Sequence, residues 1–205
     1  FLDKPVPQDL MEQIFTLAQH SPSNCNVQPW KVFVASGDTR DHLRETMIKN
    51  ITSGIAPNQD YENSGKFTGK YRDRQVDCAV VMYSEMGITR EDKEGRGRAS
   101  LRNFELFDAP HVAFIGMEKS FGVTISLDVG MYVQSLMLAM TAHGISSCAQ
   151  GSMRSYPDLV REVFPGNDDI SILVGLSFGY EDTSVPANNT RIGREDISEC
   201  VTFKN

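Results

Sequence analysis

Residues 21 to 37, "SPSNCNVQPWKVFVASG", decide how this chain reads. The first half has the composition of a loop, with Ser, Pro and two Asn within six residues. The second half, Trp-Lys-Val-Phe-Val, is an apolar run of strand type. Three side-chain amides, Asn24, Asn26 and Gln28, thus stand directly before the strand that carries the only tryptophan, Trp30. An amide offers a donor and an acceptor at once. By themselves these residues leave two readings open: a hydrogen-bonding surface for a ligand, or a polar turn ahead of a strand.

On either side of this stretch the pattern alternates between helix and strand. "VPQDLMEQIFTLAQHS" (6–21) places Leu10, Met11, Ile14, Phe15 and Leu17 at helical spacing, with Pro7 where a first turn tolerates it. "DTRDHLRETMIKNI" (38–51) predicts a second helix capped by Asp38 or Thr39. Residues 53–75 are polar, rich in Gly, Asn and Tyr, and too long for a plain connection. They predict a surface excursion of the lid or partner-embracing kind. Residues 76–107 return to helix, interrupted by the charged run "TREDKEGRGR". "HVAFIGM" (111–117) and "ISILVGLSFGY" (170–180) read as strands, "YPDLVREVF" (156–164) as a short helix, and "SSCAQG" (146–151) as a short connecting segment. Residues 123–144 predict a long helix, apolar on nearly every side, ended by Gly144 and set in the middle of the fold. The alternating "ISECVTF" (197–203) is a candidate edge strand. No repeat or linker divides the chain, so one α+β domain over 1–205 is expected.

Composition narrows the function classes. The 205 residues carry 27 acids against 20 bases, a formal charge of −7, which argues against a nucleic-acid surface. There is no unbroken run of 18 apolar residues and no basic-then-apolar start, so a cytoplasmic protein is expected. Cys25, Cys78, Cys148 and Cys200 form no C-x-x-C pair and read as free buried thiols. The chain begins at Phe1 without an initiator Met, and native residues are expected before it.

Familiar catalytic motifs fail on spacing. "GKFTGKY" (65–71) is one residue short of a phosphate loop and has Tyr71 where a metal-binding hydroxyl belongs. "GRGRAS" (95–100) lies in a charged stretch and not at a strand-to-helix turn. "GISSC" (144–148) lacks the second Gly of a nucleophile elbow. His20, His42, His111 and His143 show no paired spacing with carboxylates and read as helix-end or surface residues. With no nucleophile–base pair, metal cluster or phosphate loop in sight, a bound cofactor would have to supply the chemistry.

At this point a resemblance enters. Residues 22–30 fit the P-S-x-x-N-x-Q-P-W signature of the FMN-dependent nitroreductase family, and "SLDVGMYVQSLMLAMTAHGISSCAQG" (126–151), "ILVGLSFGY" (172–180) and "PANNTRIGREDISECVTF" (186–203) resemble that family in order and spacing. The likeness is weakest over 53–107, and the family's Arg-Arg-Ser-x-Arg segment before the position of Phe1 is absent. The resemblance implies a central, mostly antiparallel sheet surrounded by helices, and a homodimer with FMN at the subunit interface and an extended C-terminal arm wrapping the partner. It implies a ping-pong cycle in which NADH or NADPH passes hydride through flavin N5 to a nitroaromatic, quinone or related small aromatic acceptor. It further implies that Ser23 and Asn26 reach the flavin across the interface with Pro22 packed nearby, while Asn24 and Gln28 complete the amide set. Asn26 and Gln28 suit the acceptor–donor–acceptor edge of the flavin pyrimidine. "AQGSMRSYP" (149–157) resembles the segment whose backbone N–H faces N5, which assigns Gln150 and Gly151 there. Arg191 and Arg194 resemble the family's phosphate-binding basic residues, with spacing leaving open which of them serves. Phe104 and Phe107 lie where the family has a mobile helix over the substrate face; the plain alternative for both is core. Reductive dehalogenation, flavin destruction and flavin binding without turnover are the same-fold alternatives.

Overall fold

The computed structural model describes residues 1–61 and 65–204; the part of the expected surface excursion that falls on 62–64 lies outside the described residues. By internal packing the chain divides into two compact units, one of residues 1–63 and 98–181, the other of residues 64–97 and 182–205.

The first unit is built on a four-stranded sheet of β1 (Lys31–Ser36), β2 (His111–Glu118), β3 (Ser146–Gln150) and β4 (Ile170–Gly179), in the order β1-β2-β4-β3. Every pairing is antiparallel. The side-chain period of two sends alternate residues to opposite faces. Ala113, Ile115 and Met117 of β2, with Leu176 and Phe178 of β4, join one core against α1 (Gln8–Ala18) and α5 (Ser126–Ala142). Val112 and Phe114 of β2, with Ile172 of β4, join a second core against α2 (Gly37–Thr52) and α6 (Pro157–Val163). Helices on both faces explain why the central β2 is a continuous apolar run. Where β2 meets β4 the register shifts at Ile115/Gly116, and a side chain at Gly116 would collide with the Ser171 carbonyl, so the bulge requires glycine.

Several expectations are corrected. Residue 36, and not Asp38 or Thr39, precedes α2, because the chain turns directly out of β1 through Gly37 at φ 53°. "SSCAQ" is strand β3, since β4 offers it a ladder that its small and polar residues do not advertise. The helix α5 buries Val129, Tyr132, Leu136 and Met140 but leaves Leu127, Met131 and Leu138 exposed, so it is a boundary helix and not a central one. Its segment Val123–Ala142 has the length and apolarity of a membrane span, with a mean hydropathy of 1.4, yet its inner face is part of the sheet core. His111 is neither at a helix end nor at the surface but buried on β2. The four cysteines are free as expected, but Cys25, Cys78 and Cys200 are exposed and Cys148 is half-buried.

In the second unit, α3 (Lys70–Glu85) begins five residues before the expected end of the loop. The charged run expected to break helix carries most of α4 (Lys93–Leu101), which belongs to this unit only through residue 97, with Asp92 Oδ1 accepting the Gly95 N–H at 2.7 Å at its start. "ISECVTF" forms a short 3-10 turn at Ile197–Glu199 and irregular chain beyond, without a strand partner among the described residues. Arg74–Glu195 at 2.8 Å and Lys70–Glu199 at 3.3 Å tie α3 to the tail at the surface.

Two polar features of the first unit carry consequences for stability. Asp60 is nearly buried, pairs with Arg161 Nη2 at 2.5 Å and accepts the Ile172 N–H at 2.8 Å, pinning the excursion to β4. Removing one partner of a buried pair strands the other charge. The variant Asp60→Ala is expected to lose roughly 3 kcal/mol by denaturant midpoint; a loss below about 1 kcal/mol would mean Asp158, the other acid on Arg161, suffices. His111 Nε2 accepts the Val6 N–H at 2.9 Å, so the neutral ring keeps its proton on Nδ1, which faces Ser36 Oγ at 2.5 Å. Burial, then Arg40, lowers the pKa of His111 from 6.5. The unfolded chain therefore takes up this proton first as pH falls, so the contribution is whole above about pH 6.5 and declines from there toward the lowered native pKa. Melting curves from pH 7.5 to 5 should show a shallower acid slope for His111→Gln than for the wild type; parallel slopes would refute the assignment.

Candidate functional site

The loop before β1 is held in a form that ordinary residues resist. Cys25, Asn26 and Gln28 have φ of 49°, 60° and 49°. Each non-glycine residue in such a region costs on the order of 1–3 kcal/mol and persists where its surroundings over-determine it. Here they do. Ser23 Oγ accepts the Gln28 N–H at 2.9 Å, closing the base of the turn, and Gln28 Nε2 donates to the Asn26 carbonyl at 3.0 Å. The Asn24 N–H donates to Asp128 Oδ2 at 3.0 Å, which ties the turn to the first turn of α5. Beyond the turn, Pro29 and Trp30 are buried. The Trp30 ring stacks on Tyr132 of α5 at 4.8 Å and 17°, and its Nε1–H donates to Gln19 Oε1 at 2.9 Å. Burial pushes the Tyr132 phenol up to about 12, so it is neutral at all physiological pH. The result is a rigid rim on which Pro22, Asn24, Asn26 and Gln28 are exposed and Ser23 is half-buried.

Gly151 lies at the other edge of the sheet, directly after β3. The first strand pairs only with β2 and the third only with β4, so three strand spacings, roughly 14 Å, separate the edges. Lys31 is aligned through Gly116 with Ile172, and Gln150 with Gly175, so both segments leave the same end of the sheet. Gly151 is exposed, with open space where a side chain would stand. Gln150 is turned inward, only 2% exposed; its Oε1 accepts from Ser177 Oγ at 2.5 Å and its Nε2 donates to the Asn103 carbonyl at 2.8 Å. A side chain at Gly175 would collide with Met153, so this glycine lets the 151–155 turn lie against β4. The neighbouring Ser152 Oγ is buried without a hydrogen-bond partner among the described residues.

The remaining expected residues fall elsewhere. Phe104 is buried beside Tyr156 in the second core, its plain alternative. Phe107 is half-buried within a left-handed turn, with Leu106, Phe107 and Asp108 at φ 57°, 51° and 63°. That turn is held by the Arg102 fork on Asp108 and by the Phe1 nitrogen donating to the Phe107 carbonyl at 2.9 Å. The Arg102 hydrogen bonds keep the Asp108 carboxyl below its usual range. Arg191 and Arg194 belong to the second unit, are exposed, and donate from Nη1 to carbonyls of their own segment. Asp128 and Ser152 were not singled out by the sequence. For Asp128 the signal existed, since it is the only charged side chain in α5.

The first unit thus carries a strained, amide-bearing rim at one sheet edge, and an open glycine backbone beside an orphaned hydroxyl at the other. The model of the nitroreductase family matches residues 1–180, and the chain belongs to that family. It is 37% identical over 204 residues to nitroreductase NfnB of Mycolicibacterium smegmatis, covering 99% of this chain and 86% of the relative. It is 30% identical to a 4-nitrobenzoate reductase of Pseudomonas putida, covering 95% of this chain and 86% of the relative. Among solved structures it superposes on the FMN-dependent nitroreductase NfnB from Mycobacterium smegmatis in complex with NADPH with a TM-score of 0.94 and 36% identity, over 100% of this chain and 92% of that one.

The inward Gln150 amide allows a direct check. Replacing it by Leu leaves Ser177 Oγ and the Asn103 carbonyl unpaired in the interior, at roughly 1–3 kcal/mol for each. Chemical denaturation of Gln150→Leu should show that loss, while an unchanged midpoint would mean that water replaces the amide.

Proposed function

We propose that this chain is an FMN-dependent NAD(P)H oxidoreductase that reduces nitroaromatics, quinones or related acceptors as a homodimer. The observation that carries the reading is the chain-wide likeness to an FMN-dependent nitroreductase crystallised with NADPH. The residues present fit the cofactor: exposed amides at Asn24, Asn26 and Gln28 suit a pyrimidine edge, and Gly151 with Ser152 offers an open backbone with an unpaired hydroxyl beside it. When bound, FMN would supply the two-electron chemistry, accepting hydride from the nicotinamide and delivering it to the acceptor.

The protein's part is binding, orientation and exclusion of water. Ser23 holds the base of the rim turn, Asn26 and Gln28 present the amide edge, and Pro22 packs beside them. Gln150 acts through its inward amide, fixing the backbone from which the Gly151 N–H is presented. Arg191 and Arg194 are the candidates for the cofactor phosphate, and Phe107, with Phe104 behind it, for the acceptor face.

Two observations support the dimer. The rim and Gly151 lie at opposite edges of one sheet, so a single flavin gripped by both is more readily served by the rim of one protomer and the glycine of its partner. In addition, Val123 and, along α5, Leu127, Met131 and Leu138 form an exposed apolar stripe of the sort that a second copy covers. The tail, with Ile197, Val201 and Phe203 exposed, is proposed as the arm that wraps the partner. Free thiols at all four cysteines support a reducing, cytoplasmic setting.

Visible absorption of the purified protein tests the reading. Flavin bands that bleach on anaerobic addition of NADPH or NADH are expected, with a dimer by sedimentation; a colourless protein that cannot be reconstituted with FMN would overturn it. Replacing Leu127 and Leu138 together by Glu should yield monomers that lose flavin.

A further inference from the structure

Asp128 is a buried acid that the proposed chemistry does not use. It is 6% exposed and is the only charged side chain of an otherwise apolar helix. An acid in the first turn of a helix is favoured by the dipole, which accounts for its tolerance there. It does not account for its reach across to the loop, where Oδ2 accepts the Asn24 N–H at 3.0 Å. The three left-handed residues Cys25, Asn26 and Gln28 follow at once. One helical turn along the same buried face, Tyr132 stacks on Trp30, where the loop ends. A single face of α5 therefore grips both ends of the strained turn, and Ser23 Oγ closes it between them.

We infer that Asp128 is a positioning residue: by fixing the Asn24 N–H it keeps Cys25, Asn26 and Gln28 in the left-handed form that presents the rim amides to FMN. This rests on the FMN reading above. Without the acceptor, the start of the turn is released into ordinary backbone geometry, while Trp30 remains stacked on Tyr132 and the sheet core is untouched. Cofactor affinity should then fall more than stability does.

The variants Asp128→Leu, of similar bulk without an acceptor, and Asp128→Ser, too short to reach, separate this from a merely structural role. Asp128→Asn keeps an oxygen at the same reach. FMN release from diluted holoenzyme, read as the fluorescence of freed flavin, should strengthen roughly tenfold to a hundredfold in the Leu and Ser variants and by no more than about threefold in the Asn variant. Excess FMN should restore turnover in the Leu and Ser variants with the acceptor KM unchanged, and melting temperatures of the Ser and Asn variants should differ by no more than their FMN affinities account for. If Asp128→Leu does not fold, Asp128→Ser against Asp128→Asn still decides. Wild-type release in Asp128→Ser, or equal release from Ser and Asn variants, overturns the role of Asp128 alone. Wild-type protein that takes up no FMN overturns the proposed function, and this inference with it.

Discussion

The flat stack of Trp30 on Tyr132 is the contact around which the first unit is organised. It joins three elements that are distant in sequence: the end of α1, through the indole N–H on Gln19; the start of β1; and the inner face of α5. Aromatic pairs combine large apolar burial with a restricted geometry. Both rings are nearly inaccessible, so the indole N–H needs a partner, and Gln19 at the C-terminal end of α1 supplies it. With these three elements in place the preceding loop must turn within a few residues, and the hydrogen bonds of Asn24 to Asp128 and of Gln28 to Ser23 hold Cys25, Asn26 and Gln28 left-handed there.

The helix α5 is used on two sides. Its inner face, with Val129, Tyr132, Leu136 and Met140, closes one core of the sheet, and Asp128 on that side holds the loop. Its outer face is apolar and open in the single chain. The exposed apolar stripe and the order of the loop are thereby carried by one helix. The proposed dimer would for that reason couple the covering of the outer face to the rim held on the inner one.

Much of this was legible in the chain itself. The helical spacing of 6–21, the uninterrupted run of 111–117 and the β-branched run of 170–180 each appear as helix or strand with ends displaced by no more than three residues, because local periodicity and burial agree there. The signature at 22–30 marked the rim before any geometry was known. What failed were segments whose state depends on neighbours. The strand β3 has small and polar residues that only the β4 ladder makes extended, and α4 is a charged helix started by one Asp92 cap. "ISECVTF" alternates like a strand yet has no strand to pair with among the described residues.

The sequence by itself determined most of the alternation of elements and the apolar character of the central strands, because these follow from residue type and period. Tertiary structure alone decided which way the amides serve. It turned Gln150 inward onto Ser177 and Asn103, left Gly151 open, buried Phe104 and placed Asp128 under the loop. Hydrogen bonds between residues far apart in the chain depend on strand order and helix packing, and no spacing within a single segment encodes them.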